Sequence, residues 1–327
     1  MTNPADAPVL PAARVIYVAN LVAQALIVVT GAVVRLTGSG LGCPTWPECV
    51  DGSITPTSEQ VQAWHKYVEF GNRTLTFALV LLAVACLVMA WWDARRRRHL
   101  GAAPRPALLA LATVPLLGTV AQAVIGGVTV LTGLNPAIVG AHFLVSMAII
   151  AGCTALVVRS RDAGDTPIHW LVSTPVRVLS WLTIAATAAI VLLGVVVTGS
   201  GPHSGDTGVQ SRLPLDPRTV AWLHADIAFA FLGLSIGLLV ALLATKAPHR
   251  SARLLIALLA VAGLQVGVGY TQYFTGLPIV LVAVHVSLAC VIWILALLVP
   301  GTLRERGSVR VPSARQVQER IDSDEQE

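Results

Sequence analysis

Eight apolar stretches, each close to the length that crosses a bilayer, constrain this chain more than any other feature. A hydrocarbon core roughly 30 Å thick takes about 20 helical residues. Stretches of that kind, bounded by charge or proline, run over Val15–Leu36, Glu69–Trp92, Ala107–Leu131 and Ala137–Val158. Four more run over Val178–Val197, Val220–Thr245, Leu254–Phe274 and Ile279–Val299. Composition agrees: 55% of the 327 residues are hydrophobic and 12% charged, a balance that a soluble domain of this size does not sustain. An all-α integral membrane protein of eight transmembrane helices, multi-pass in the cell membrane and in contact with its lipid, is the expected class.

Positive charge orients the helices, because cytoplasmic loops collect Lys and Arg. With the N-terminus inside, Arg14, the run Arg95–Arg98, Arg105, Arg159, Arg161, Arg177, Lys246, Arg250, Arg253 and the tail arginines are cytoplasmic. Lys66, Arg212 and Arg218 fall in outer loops, and Arg35 and Arg73 lie at helix ends. Both termini are then cytoplasmic. The high pI of about 9.2 follows from this topology and gives no reason to invoke nucleic acid. The first residues carry no basic region feeding a short apolar run, so no cleaved signal peptide is expected. The tail ending in IDSDEQE reads as a solvated segment.

The chain also repeats itself. One gapless register lays helices three and four on helices seven and eight, pairing Gln122 with Gln265, Gly126 with Gly269, Thr132-Gly133-Leu134 with Thr275-Gly276-Leu277, and His142 with His285. RLTGSG, ending at Gly40, answers VVTGSG, ending at Gly201. Four helices per half return the chain to the same side, so the halves are parallel repeats about an axis along the membrane normal. The expected architecture is two four-helix bundles: a cytoplasmic segment 1–14, an N-terminal bundle 15–158, a linker 159–177, a C-terminal bundle 178–300 and a cytoplasmic tail 301–327.

The repeat selects the chemistry-bearing residues. His99, His169 and His249 lie in cytoplasmic connections and His203 in an outer loop, and all four read as surface residues. His142, His224 and His285 lie near the outer ends of helices four, six and eight, where an ionisable group needs a partner or a cavity. A lone helix histidine is ordinarily a hydrogen-bonded interior residue. His224 and His285 come as a pair at similar depth on the second and fourth helices of one bundle, where two imidazoles can approach one iron from opposite sides. Haem suits them better than zinc, since no third or fourth protein ligand stands beside them. In the N-terminal half, His65, Glu69 and Asn72 share one face of helix two at i, i+4 and i+7. Aligning VEFGN with VAWLH puts Asn72 where the other half has His224. Glu69 reads either as a residue of the site or as a salt-bridge partner of Arg73. Cys43 and Cys49, in one outer loop, favour a disulfide; Cys86, Cys153 and Cys290, within helices, read as packing residues.

Together GAVVRLTGSGLGCPTWPEC, VEFGNRT, VTGSGPHSGD and the repeated TGL-to-His blocks resemble the haem A synthase family, over about Arg14 to Pro300. The resemblance implies oxidation of the C8 methyl of haem O to a formyl group, giving haem A for cytochrome c oxidase. It implies that His224 and His285 hold a resident haem b, that His142 ligates the substrate haem, and that Glu69 is the acidic catalytic residue beside it. Cys43 and Cys49 match an outer-loop pair found in part of the family. Asn72 departs from a position where the family often has histidine; it is expected to line the substrate site, with His65 at its outer rim or, as the alternative, ligating directly through a tilted helix start. The implied partner is a haem O synthase, a protoporphyrin farnesyltransferase, and the reading admits a homo-oligomer. From the histidines alone, a di-haem b-type electron-transfer cytochrome stays open, as does a parallel-repeat transporter.

Overall fold

The computed structural model describes residues 9–165 and 167–307, and the expectations for the N-terminal eight residues and the IDSDEQE tail lie outside them. Its framework is α1 (Pro11–Leu36), α2 (His65–His99), α3 (Pro106–Leu131), α4 (Pro136–Arg159), α5 (Thr174–Ser200), α6 (Pro217–Ala244), α7 (His249–Phe274) and α8 (Ile279–Thr302). Each is long and apolar enough to cross a membrane. Proline opens α1, α3, α4 and α6, where its missing N–H costs no hydrogen bond. Asn135 and Asp216 cap α4 and α6 by accepting from Ala137 N and Thr219 N, at 3.0 and 2.8 Å.

Helix packing closes two cycles. α1 packs on α2 and α4, and α3 bridges α2 and α4; α5 packs on α6 and α8, and α7 bridges α6 and α8. The cycles meet where α8 packs on α1 and α4, and where α4 packs on α5. One buried cluster, including Tyr17, Leu21, Cys86, Ile150, Cys153 and Leu156, fills the first cycle and takes in Cys290 and Trp293 of α8. Trp293 Nε1 donates to Met147 O at 2.9 Å across that junction, which satisfies the indole where no water reaches it. A second cluster around Leu238, Leu242, Leu255 and Leu258 fills the other cycle. Large apolar side chains such as Leu26, Phe77, Leu81, Leu117, Val240 and Leu264 point outward, as lipid-facing surface requires.

Several sequence expectations are corrected. α2 continues through the basic run to His99, so Arg95–Arg98 form its last turns, where cations meet the negative end of the helix dipole. Lys66 is no loop residue: it sits in the first turn of α2, 4% exposed, and donates to Thr57 O and Gln60 O. His249 begins α7. His169 lies in a two-residue strand, β1 (His169–Trp170), paired antiparallel with β2 (Arg304–Glu305). His203 is a tie between the cycles: its Nε2 lies 3.1 Å from Leu277 O, and its carbonyl accepts from Arg35 Nε at 2.8 Å.

Candidate functional site

His224 of α6 and His285 of α8 face each other across the second cycle, ring centroids 6.3 Å apart and planes inclined by 52°. Two metal–nitrogen bonds of about 2 Å, with roughly 1 Å more from nitrogen to centroid on each side, put two imidazoles on one metal about 6 Å apart. The observed spacing therefore fits one iron between the rings. Nδ1 of His224 and of His285 is buried and makes no close hydrogen bond. Among the described residues no three His, Cys, Asp or Glu side chains gather as a metal cage. A porphyrin supplies four equatorial nitrogens of its own, so two histidines suffice for haem, whereas zinc needs three or four protein ligands.

Glycine makes room for each ring. A Cβ on Gly194 of α5 would lie 3.3 Å from His224 Cε1, and one on Gly269 of α7 would lie 3.3 Å from His285 Cε1. The same spacing recurs in the first cycle between Gly126 of α3 and His142 of α4. Gln122 Nε2 donates to His142 O at 2.9 Å and Gln265 Nε2 to His285 O at 3.0 Å, which ties α3 to α4 and α7 to α8 at the histidine turn. His142 Nδ1, too, is buried and unpartnered. The sequence displayed these glutamines and Gly126 and Gly269 as repeat matches without assigning them a role; Gly194 carried no signal.

Helix two behaves differently. His65, Glu69 and Asn72 are on its face, as the spacing predicts, but each is engaged by protein. His65 Nδ1 lies 2.9 Å from Ser39 Oγ, and its ring stacks on Trp64. Glu69, 6% exposed, accepts from Cys43 N at 2.7 Å through one oxygen and from Arg73 at 2.6 and 3.1 Å through the other. Asn72 Oδ1 accepts from Thr30 Oγ1 of α1 at 2.7 Å.

Cys43 and Cys49 form a disulfide. Arg73 spends its remaining donors on Cys43 O, Thr45 O and Glu48 O, so one α2 guanidinium laces both ends of the disulfide loop to Glu69. The loop also carries Trp46, whose ring occupies the space where a Cβ on Gly127 of α3 would sit, one residue from the glycine that abuts His142. Neither Thr30, Ser39 nor Trp46 was identifiable from sequence, since their partners are distant along the chain.

The fold defines a class: a multi-pass membrane protein whose eight helices are each long and apolar enough to span a bilayer. Residues 14–297 match the family described as cytochrome oxidase assembly protein, and the chain belongs to it. Among its curated relatives, the heme A synthase of Lysinibacillus sphaericus is 32% identical over 190 residues, 56% of this chain and 55% of that protein. The heme A synthase of Geobacillus thermodenitrificans is 31% identical over 139 residues, 42% and 40% of the two chains. That of Listeria monocytogenes is 27% identical over 187 residues, 56% and 58%. The chain spans about half the length of these relatives.

Proposed function

We propose that this protein is a haem A synthase, oxidising the C8 methyl of haem O to a formyl group and so supplying haem A for cytochrome c oxidase. The observation that carries the reading is the His224–His285 pair at the spacing one iron requires. The curated heme A synthase relatives support the choice over an electron-transfer cytochrome.

In this reading the C-terminal bundle holds a resident haem b on His224 and His285, and the N-terminal bundle takes the substrate, haem O, on His142. The haem b supplies one-electron redox chemistry when bound; the chain supplies position and electrostatics. The methyl passes through an alcohol and a hydrated aldehyde that loses water, each oxidation removing two electrons from the carbon to an external oxidant. Glu69 is the catalytic residue, a carboxylate aimed by Arg73 and Cys43 N that orients water or accepts a proton beside the methyl. Asn72 lines the site. The Ser39 contact favours His65 as a rim residue.

The domain scheme is part of the same proposal: segments 1–14 and 301–327 are cytoplasmic, bundles 15–158 and 178–300 are parallel repeats, 159–177 links them, and the protein lies in the plasma membrane. Helix bounds support the duplication. α3 and α4 map onto α7 and α8, end for end, at the same offset that pairs His142 with His285. Leu134 and Leu277, equivalent in that register, share a positive φ of 59° and 61°. The proposed upstream partner is a haem O synthase. Co-expression with such a farnesyltransferase, followed by chromatography of extracted haems, tests the function: haem A should appear only when both proteins are present, and haem O alone would refute it.

A further inference from the structure

The two halves differ at the one position where the repeat exchanges imidazole for amide. Resting on the two-haem reading above, we infer that the N-terminal site holds its iron by His142 alone and leaves the Asn72 side open to a small exogenous ligand.

Three polar side chains on the α2 face are available in principle as a second ligand, and each is either engaged or out of reach. Asn72 Oδ1, the only amide atom with lone pairs to offer a metal, accepts from Thr30 Oγ1 at 2.7 Å. Both carboxylate oxygens of Glu69 are taken, one by Cys43 N and one by Arg73. His65 is tied to Ser39 and lies two turns from Asn72, about 10 Å along the helix axis, too far to serve the same iron position.

Packing makes the same distinction. Each of the three histidine rings has a glycine beside it, Gly126, Gly194 or Gly269, with a Cβ position 3.3 Å from Cε1. Laying Thr37–Gly40 on Thr198–Gly201 puts Val33 at the register position of Gly194. The register position that holds a glycine beside the imidazole edge in the other half thus holds valine in this one. Thr30 Oγ1, which also lies 3.1 Å from Ile27 O, holds the Asn72 amide against α1, and an amide is a poor ligand for haem iron beside histidine.

Carbon monoxide is the probe. The purified full-length protein, loaded with haemin and reduced, should bind two haems. Carbon monoxide should shift the Soret band of about half of them, the His224–His285 haem staying unreactive. Asn72→His combined with Val33→Gly should lose the carbon monoxide response at unchanged haem content, and His142→Ala should lose the responsive haem itself. Two bound haems that are both low-spin and inert to carbon monoxide in the unaltered protein overturn the inference while leaving the two-site reading intact. Uptake of a single, inert haem overturns both.

Discussion

Replacing Arg73 with glutamine removes the one side chain that joins α2, Glu69 and the disulfide loop. Glu69 and Arg73 side chains are 7% and 22% exposed. Breaking a buried ion pair by deleting one partner costs about 3–5 kcal/mol, and the partial exposure of Arg73 lowers this to roughly 2–4 kcal/mol. The carbonyls of Cys43, Thr45 and Glu48 lose their donor as well, but they lie in a loop where water can replace it, adding about 1 kcal/mol at most. Glu69→Gln alone keeps the Cys43 N–H bond, because an amide oxygen accepts as a carboxylate does, and leaves the guanidinium three carbonyls. Arg73→Gln should therefore be the more damaging single change, and the double variant should recover about 1.5–3 kcal/mol relative to additivity. Reversible unfolding in mixed micelles, followed by helical circular dichroism for the four proteins, measures the cycle. Additivity within about 0.5 kcal/mol, with Arg73→Gln nearly neutral, would refute the anchoring argument.

His224→Ala or His285→Ala should each abolish the b-type signal in reduced-minus-oxidised spectra while the protein stays in the membrane fraction; an unchanged spectrum in either variant breaks the proposed pairing. Gly127→Ala should displace Trp46, costing about 1–3 kcal/mol by overpacking, and shifting the tryptophan emission. Combining it with Trp46→Ala should relieve the penalty, and equal instability of the single and double variants would place the clash elsewhere.

Much of this protein follows from the sequence. Eight apolar stretches had to become helices, since a membrane-spanning segment must satisfy its backbone hydrogen bonds internally and no water is available to accept a looser arrangement. The internal repeat then carried side-chain positions between halves, because equal spacing along a helix means equal depth and face. That is why His142, His224, His285 and the anomalous Asn72 could be singled out before any coordinates. Helix ends were less legible: α2 runs through four arginines and α7 starts at a histidine, because polar residues extend a helix past the apolar core at little cost.

Tertiary structure alone decided which polar groups are engaged. Ser39 reaches His65 across 26 residues, Thr30 reaches Asn72 across 42, and His203 ties to Leu277 across 74. Hydrogen bonds act over about 3 Å in space and are blind to separation along the chain. The sequence accordingly determined which residue types recur along the helices, whereas only the folded chain determined that Ser39 holds His65, that Arg73 and Cys43 N hold Glu69, and that Thr30 holds Asn72.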